Sequence, residues 1–271
     1  MSPRQPWPAS WTAVRWPGNP RVHGVFTSRD GGCSGGAWAA GDGGGGMNLG
    51  SHVGDDAAAV LRNRELLAQR LGGVRVAWLE QVHGAGITDL DAWHEGCVAR
   101  ADAAVVTRAE VAACVLVADC LPVLFAAPDG RGVAAAHAGW RGLAAGVLER
   151  TAQTLAQRAA CRASQLHAWL GPAIGPSNFE VGAEVREAFV GQDGLARQCF
   201  VPGRREGKWM ADLFGLARLR LTDAGLLPES ILGGGICTVA NPGLYYSFRR
   251  DGTTGRQAGL IWLGADGGQA R

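Results

Sequence analysis

Two histidines and one cysteine are the residues of this sequence best suited to bind a transition metal. His83 stands in WLEQVHG, Cys120 in VADCLP and His137 in AHAGWRG, each after a short apolar run. Imidazole nitrogens and a cysteine thiolate are ligands that zinc prefers, and three such ligands leave a fourth coordination position open. An open position provides Lewis-acid chemistry or a more acidic water molecule. The three residues are therefore candidate zinc ligands of a catalytic site.

The spacing of these three residues matches no standard zinc motif, so pattern alone leaves other interpretations open. Cys120 and His137 also suit a nucleophile and its general base. From the pattern alone, a lone histidine or cysteine is more often an ordinary core or surface residue. Asp119, beside Cys120, is typical of a proton shuttle, of a carboxylate that supports a ligating histidine, or of a residue that caps a turn.

Polar residues in glycine-containing turns indicate anion binding. Arg141 stands in GWRG at the start of a predicted helix, where backbone amides and a guanidinium group bind anions together. Arg29 in TSRDGG, Asn48 in NLGSHVGDD and Arg249 in YSFRRDGTTGR occupy similar turns. Such turns suit phosphate or ribose binding, and the same residues are common in ordinary surface turns.

The apolar pattern predicts the strands and helices that position these side chains. Short apolar runs between turn residues predict buried strands at 22–28, 76–79, 103–106, 114–118, 123–127, 133–136, 230–239 and 259–263. Caps and apolar stripes predict helices at 55–71, 143–159, 182–190 and 212–224. Because strands and helices mix without strict alternation, we expect an α/β (α+β) fold with a layered mixed β-sheet core flanked by helices. The segment 30–46, rich in glycine, predicts a flexible surface loop.

Composition bounds the class of protein. Hydrophobic residues make up 47% and charged residues 18% of the 271 residues, which predicts a packed interior. We expect one compact catalytic domain over 22–271, after an irregular leader over 1–21. The net charge of +2 gives no reason to expect a nucleic-acid partner. Seven cysteines without paired spacing favour a reducing compartment. Neither a signal peptide nor a membrane-spanning apolar stretch is apparent, so we expect a cytoplasmic protein.

Seven motifs, taken in order, resemble those of one known family. They are TSRDGG, NLGSHVGDD, WLEQVHG, ADC, AHAGWRG, LGPAIGPSNFEVG and YSFRRDGTTGRQAGLIWL, and they span about residues 22–265. The family they resemble comprises zinc-dependent purine nucleoside phosphorylases, earlier described as laccase-like polyphenol oxidases and as peptidoglycan editing factors. The resemblance implies zinc on His83, Cys120 and His137. It also implies a layered α/β fold shared with certain bacterial cysteine-dependent toxins.

The same resemblance implies phosphorolysis of adenosine, inosine and methylthioadenosine, together with adenosine deamination. We expect Arg29, Arg141 and Arg249 to grip inorganic phosphate, Asn48 to contact substrate, and Asp119 to assist catalysis. Copper is less expected than zinc, because the six histidines are dispersed. We expect a monomer or weak homo-oligomer. A Cys-His hydrolase or amidase acting in peptidoglycan editing, and a non-catalytic zinc-stabilised binding protein, remain alternatives.

Overall fold

Two β-sheets packed face to face form the centre of the structure, a computed structural model that describes residues 7–17 and 19–264. The strands are β1 (Thr12–Val14), β2 (Val22–Phe26), β3 (Asp30–Ser34), β4 (Arg75–Ala77), β5 (Leu79–Glu80), β6 (Ile87–Asp89), β7 (Ala99–Arg100), β8 (Ala103–Val106), β9 (Val111–Val117), β10 (Leu121–Ala126), β11 (Val133–Ala138), β12 (His167–Leu170), β13 (Glu180–Gly182), β14 (Phe200–Pro202), β15 (Lys208–Ala211), β16 (Ile231–Gly233) and β17 (Gln257–Leu263). The α-helices are α1 (Ala57–Leu71), α2 (Trp140–Ala144), α3 (Val147–Arg158), α4 (Ala183–Val190), α5 (Leu213–Asp223) and α6 (Phe248–Asp251).

Both large sheets are mixed. One has five strands in the order β1-β2-β17-β9-β4, and the other has six in the order β16-β12-β10-β11-β8-β6. Neighbouring strands are antiparallel except in the pairs β4–β9, β6–β8 and β12–β16. A smaller sheet of β13, β15 and β14 and the pair β5–β7 lie outside these two. The long central strands thus come from distant parts of the chain.

Side-chain alternation along the central strands builds a four-layer sandwich. In β10, Leu121, Val123 and Phe125 pack against the helices, whereas Leu124 and Ala126 pack between the sheets. Successive residues of a strand point to opposite faces, so a strand that is apolar throughout needs cover on both sides. Helices α3, α4 and α5 cover the six-stranded sheet, and α1 covers the five-stranded sheet.

The predicted fold class is confirmed: the chain forms a layered, mixed α/β domain. The strand predicted at 103–106 has those bounds as β8, and the helix predicted at 212–224 is α5, whose first turn is capped by the Asp212 side chain. The run predicted as one strand at 76–79 is divided between β4 and β5. Residues 12–14, within the predicted leader, form β1 on the edge of the five-stranded sheet, and residues 1–6 lie outside the described part of the chain.

Glycine backbone geometry accounts for two differences from the predictions, and a third concerns the glycine-rich segment 30–46 itself. The helix predicted over 143–159 is broken between α2 and α3, because Gly146 has a left-handed φ of 86°. The strand predicted over 230–239 ends at Gly233, where three consecutive glycines have positive φ. Segment 30–46 holds β3 and a 3-10 turn at Gly36–Trp38, and bridges join Gly46 to Asp30 and Ser34. It is therefore a folded part of the domain rather than an unstructured loop.

Among the described residues, no helix has both the length and the apolar composition required to cross a membrane.

Candidate metal centre and the cavities beside it

Three separate elements bring the candidate ligands together. His83 lies in the loop after β5, Cys120 immediately precedes β10, and His137 lies near the end of β11. Strands β10 and β11 are antiparallel with Pro122 opposite His137, so the start of β10 and the end of β11 lie side by side at the same end of the six-stranded sheet. The ligand atoms of His83, Cys120 and His137 all lie within 4.8 Å of one another.

Glycines let the backbone approach this cluster. A Cβ atom on Gly139 would lie 2.9 Å from Cys120 Sγ and 3.2 Å from His83 Cδ2. A Cβ atom on Gly142 would lie 2.6 Å from the carbonyl oxygen of Gly84. The two glycines of AGWRG are therefore needed because the turn after β11 packs directly on the His83 loop.

A buried carboxylate, Asp102, joins two of the ligands. Its side chain is fully buried and accepts hydrogen bonds from the backbone amides of Val82 (3.2 Å), His83 (2.9 Å) and Gly84 (2.7 Å). Nδ1 of His137 lies 2.8 Å from the same carboxylate. Burial acts to raise the pKa of Asp102, but the bonds from His137 and from these amides hold it below its usual value. Asp102 is therefore an anion.

Cys120 and His137 shift each other's pKa. Burial acts to raise the pKa of the Cys120 thiol, but the charge and hydrogen bond of His137, with help from His83, lower it to about 6. Burial acts to lower the pKa of His137, but Cys120 and Asp102 raise it to about 9. Each group therefore favours the charged form of the other, the thiolate of Cys120 and the imidazolium of His137.

A cavity of about 710 Å³ opens on one side of the cluster. His83 and Cys120 line it together with His52, Arg256 and Phe248. Burial lowers the pKa of His52, and the positive charge of Arg256 lowers it further, which keeps the His52 imidazole neutral at pH 7. This cavity therefore offers a neutral imidazole, a guanidinium group and an apolar ring.

A second cavity, of about 310 Å³, adjoins the cluster and shares His83, Cys120 and Phe248 with the first. It contains Arg141 and Arg249, two of the three arginines predicted to grip phosphate. The Arg141 guanidinium stacks on Trp140 at 4.5 Å from the ring centroid, and the described part of the chain offers it no hydrogen bond. Arg249 donates from Nη1 to the carbonyl of Glu180 at 2.9 Å. This cavity has two arginines and one carboxylate, Asp119, in its lining, whereas the first has one arginine and one carboxylate, Glu80.

Asp119 does not support a histidine, contrary to one interpretation of its position beside Cys120. Its Oδ1 accepts from the Thr238 hydroxyl at 2.5 Å, and its Oδ2 accepts from the backbone amide of Arg249 at 2.6 Å. The backbone of Asp119 has a left-handed φ of 93°. Asp119 thus fixes the first turn of α6, and with it the position of Arg249, while Asp102 performs the role of histidine support.

Two other predicted substrate contacts lie elsewhere. Arg29 lines neither cavity, since its guanidinium donates to the carbonyls of Ala39 and Pro242 and stacks on Tyr246. Asn48 is fully buried, and its side chain bonds Gly50, Asp55 and the backbone amide of Arg256. In the structure, both side chains are therefore held by contacts within the scaffold, and neither Arg29 nor Asn48 lines the two cavities.

Three residues near the cluster were not among the predicted site residues. Asp102 stands directly before the apolar run of β8, in the sequence ARADAAVV, a position without a recognisable motif. His52 and Arg256 were visible in NLGSHVG and in TTGR. Their glycine-rich surroundings gave the only signal, and that signal is shared by many surface turns.

The cluster fits a metal ion of borderline softness. Two imidazoles and one thiolate are the donors that zinc takes in three-ligand sites, and His137 and His83 lower the pKa of the Cys120 thiol towards the thiolate form that binds metal. His83 is exposed, and two cavities reach it, so a fourth coordination position faces open space. Among the described residues, this is the only group of three or more His, Cys, Asp or Glu side chains close enough to share an ion.

Sequence comparisons give similarity along nearly the whole chain. A family model described as multi-copper polyphenol oxidoreductase laccase matches residues 23–264. A purine nucleoside phosphorylase of Pseudomonas aeruginosa is 46% identical over 254 residues, covering 94% of this chain and 98% of the relative. The purine nucleoside phosphorylase YfiH of Escherichia coli is 46% identical over 218 residues, covering 80% and 86% respectively.

Solved structures give the same fold. A Neisseria meningitidis protein, described by the family label DUF152, superposes with a TM-score of 0.85 at 42% identity and covers 94% of this chain and 100% of its own. YlmD of Geobacillus stearothermophilus superposes with a TM-score of 0.81 at 31% identity, covering 96% and 98%.

Proposed function

The chain belongs to the family described as multi-copper polyphenol oxidoreductase laccase, and from that premise we propose that it is a zinc-dependent purine nucleoside phosphorylase. Its proposed substrates are adenosine, inosine and methylthioadenosine, with adenosine deamination as a second activity. Two relatives, each 46% identical to this chain over the aligned residues, are named purine nucleoside phosphorylases. The observation that carries the proposal is the meeting of two cavities, one of them lined by two arginines, at the His83–Cys120–His137 cluster.

The two cavities differ in size and charge in the same sense as the two reactants of a phosphorolysis. A nucleoside belongs in the cavity of about 710 Å³, where His52 and Arg256 supply polar contacts and Phe248 an apolar one. Inorganic phosphate belongs in the cavity of about 310 Å³, between Arg141 and Arg249. A guanidinium group binds phosphate through short, charge-assisted hydrogen bonds. Because Arg141 has no hydrogen-bond partner in the described part of the chain, its donors are available to that ligand.

In the proposed reaction, a phosphate oxygen forms a bond to the anomeric carbon of the ribose while the bond to the purine nitrogen breaks. Positive charge develops on the sugar, so phosphate held in place by Arg141 and Arg249 stabilises the transition state by proximity as well as charge. A zinc ion on the three ligands would supply Lewis-acid polarisation and a more acidic water molecule. Deamination needs that water and no phosphate, and it does not require the two arginines.

The donor set supports zinc over the several copper ions of the family's description. A multi-copper enzyme needs several groups of ligands, and the part of the chain described by the structure contains one. A single His₂Cys site also occurs in one-copper electron-transfer proteins, where a weak axial ligand completes it. Elemental analysis of the purified protein therefore tests the metal directly: zinc is expected, and copper would contradict the proposal.

The test of activity is to incubate zinc-loaded protein with adenosine, with and without phosphate, and to identify products by mass spectrometry. With phosphate we expect adenine and ribose 1-phosphate, and without phosphate we expect slow formation of inosine and no free base. Adenosine that stays intact in both reactions, with zinc confirmed in the protein, would contradict the proposed function.

One observation favours a second candidate, a Cys-His hydrolase or amidase acting in peptidoglycan editing. Without a metal, His137 lowers the pKa of the Cys120 thiol to about 6 against the opposing effect of burial, which is the ionisation state of a cysteine nucleophile. A thiolate bound to zinc is a poor free nucleophile, so the two candidates respond to metal in opposite ways. Cleavage of peptidoglycan-derived amides by metal-free protein, with inhibition by zinc, would favour the hydrolase.

A further inference from the structure

The amide groups of three consecutive residues converge on the Asp102 carboxylate. The N–H groups of Val82, His83 and Gly84 donate to it, and His83 between them has a left-handed φ of 59°. Successive backbone N–H groups in such a turn form a concave anion-binding site, called a nest. Here the anion is a side chain of the same protein. The unusual backbone conformation of His83 is thus stabilised by a charge that Asp102 supplies.

The same carboxylate orients the second histidine. His137 directs Nδ1 at Asp102 Oδ1 at 2.8 Å, and its backbone amide donates to the Asp102 carbonyl at 2.7 Å. Since Nδ1 is used in this bond, Nε2 is the ring nitrogen left to bind a metal. A hydrogen bond to one ring nitrogen commonly fixes both the tautomer and the orientation of a metal-binding histidine.

We infer that Asp102 is the positioning residue of the metal centre, and that it holds His83 and His137 in ligand geometry before any metal binds. The two histidines lie on different elements, a loop and a strand, and one carboxylate with four donors ties them together. This inference rests on the metal site of the proposed function, but it concerns only contacts that exist within the chain.

The test is the metal affinity of Asp102→Asn, measured by competition with a coloured zinc chelator. An asparagine offers one acceptor oxygen to four donors and turns its NH₂ group towards them, so the nest and the His137 contact cannot both be kept. We expect zinc to bind about 10–100-fold more weakly, as when other outer partners of metal-binding histidines are removed. Unchanged affinity would overturn the inference.

Asp91→Asn is the matched control. The Asp91 carboxylate also accepts from a backbone amide, that of Thr107 at 2.8 Å, from the Thr107 hydroxyl and from the Arg158 guanidinium, but it contacts no candidate ligand. We expect this variant to melt at a lower temperature and to bind zinc as tightly as the unaltered protein. An equal loss of zinc affinity in both variants would show a general effect of destabilisation and overturn the inference.

Amide hydrogen exchange in metal-free protein separates this inference from the proposed function. We expect the amides of residues 82–84 to be protected in the unaltered protein and to lose protection in Asp102→Asn. Rapid exchange there in the unaltered protein would overturn the inference, even if the protein proved to be a phosphorylase. If the protein binds no zinc, the proposed function fails, and the exchange pattern still decides whether Asp102 holds the loop. If Asp102→Asn does not fold, Asp102→Ser, whose smaller side chain admits water to the nest, takes its place.

Discussion

The turns that carry the metal ligands and the glycine-rich segment from Arg29 to Asn48 look alike in the sequence but differ in how their polar groups are used. In the segment, the Arg29 guanidinium donates to carbonyls of Ala39 and Pro242, and Asn48 is saturated by neighbouring groups. In the turn after β11, Arg141 faces a cavity and has no hydrogen-bond partner in the described residues. Availability for a ligand therefore depends on whether the fold has already satisfied a side chain.

The glycines of the two regions also allow different close contacts. Gly46 allows the backbone of the segment to approach the carbonyl of Trp38, and Gly32 allows close approach to Gly46. Gly139 instead leaves room for Cys120 and His83. The first pair is needed to build the scaffold, and the last to build the metal centre. Matched substitutions in the two regions should therefore give opposite results.

The largest difference is expected between the cysteines. Cys120→Ala removes one of three ligands and should reduce bound zinc from about one ion per chain to none, because two histidines alone make a weak site. Cys33→Ala, in the glycine-rich segment, should keep full zinc, since the Cys33 thiol contacts Asn63 and Ala59. Metal analysis after gel filtration measures both. If the Cys120→Ala protein still bound about one zinc ion per chain, Cys120 would not be a zinc ligand. The hypothesis that Cys120 is a free nucleophile would then be favoured.

The next difference is expected between the arginines. Arg141→Ala should raise the KM for phosphate about tenfold to a hundredfold and leave zinc binding unchanged, as a charge-assisted contact contributes roughly 1.5–3 kcal/mol. Arg29→Ala should leave the KM for phosphate unchanged. Since it loses three hydrogen bonds to backbone carbonyls, it should lower the free energy of unfolding by about 1–3 kcal/mol. Steady-state kinetics and thermal denaturation test the pair, and the reverse assignment of effects would refute the distinction.

The smallest difference is expected between two glycines with ordinary backbone geometry. Gly139 has φ −66° and Gly35 has φ −109°, so alanine fits the backbone at either position. A Cβ at Gly139 would crowd Cys120 Sγ at 2.9 Å, and such overpacking costs about 1–3 kcal/mol, which we expect to appear as weaker zinc binding. A Cβ at Gly35 meets nothing within 4 Å. Competition with a zinc chelator should show that Gly35→Ala leaves the zinc affinity unchanged. Equal zinc affinities in both variants would show that the turn after β11 shifts to accommodate the added Cβ atom.

Local sequence was enough to predict much of the core and the three ligands as candidates. The apolar run 103–106 could be predicted as a strand because all four of its side chains are buried. The start of α5 could be predicted because Asp212 is its N-capping residue. The small sheet of β13, β14 and β15 was not predicted. Its strands are three or four residues long and partly exposed, so they carry no clear apolar period.

The parts of the site that local sequence did not predict depend on contacts between distant residues. Asp102 meets His137 across 35 positions, and Arg29 meets Pro242 across 213. A carboxylate or a guanidinium group has the same local sequence signature whether its partner is a ligand or a distant part of the chain. Only the folded arrangement decides which of Asp102 and Asp119 supports a histidine.

The position of β17 in the five-stranded sheet has a consequence for the order in which a newly made chain folds. Strand β17 pairs with β2 on one side and with β9 on the other. Neither β2 nor β9 can form these hydrogen bonds until residues 257–263 have been synthesised. At roughly 5–20 residues per second, β2 waits on the order of ten to fifty seconds. During synthesis, its apolar face and unpaired edge remain open to chaperones and to other nascent chains. Arg249 and Arg256, just before β17, join the site at the same late stage. A ribosome-bound chain that ends before β17 should thus be a client for holding factors and an inactive enzyme.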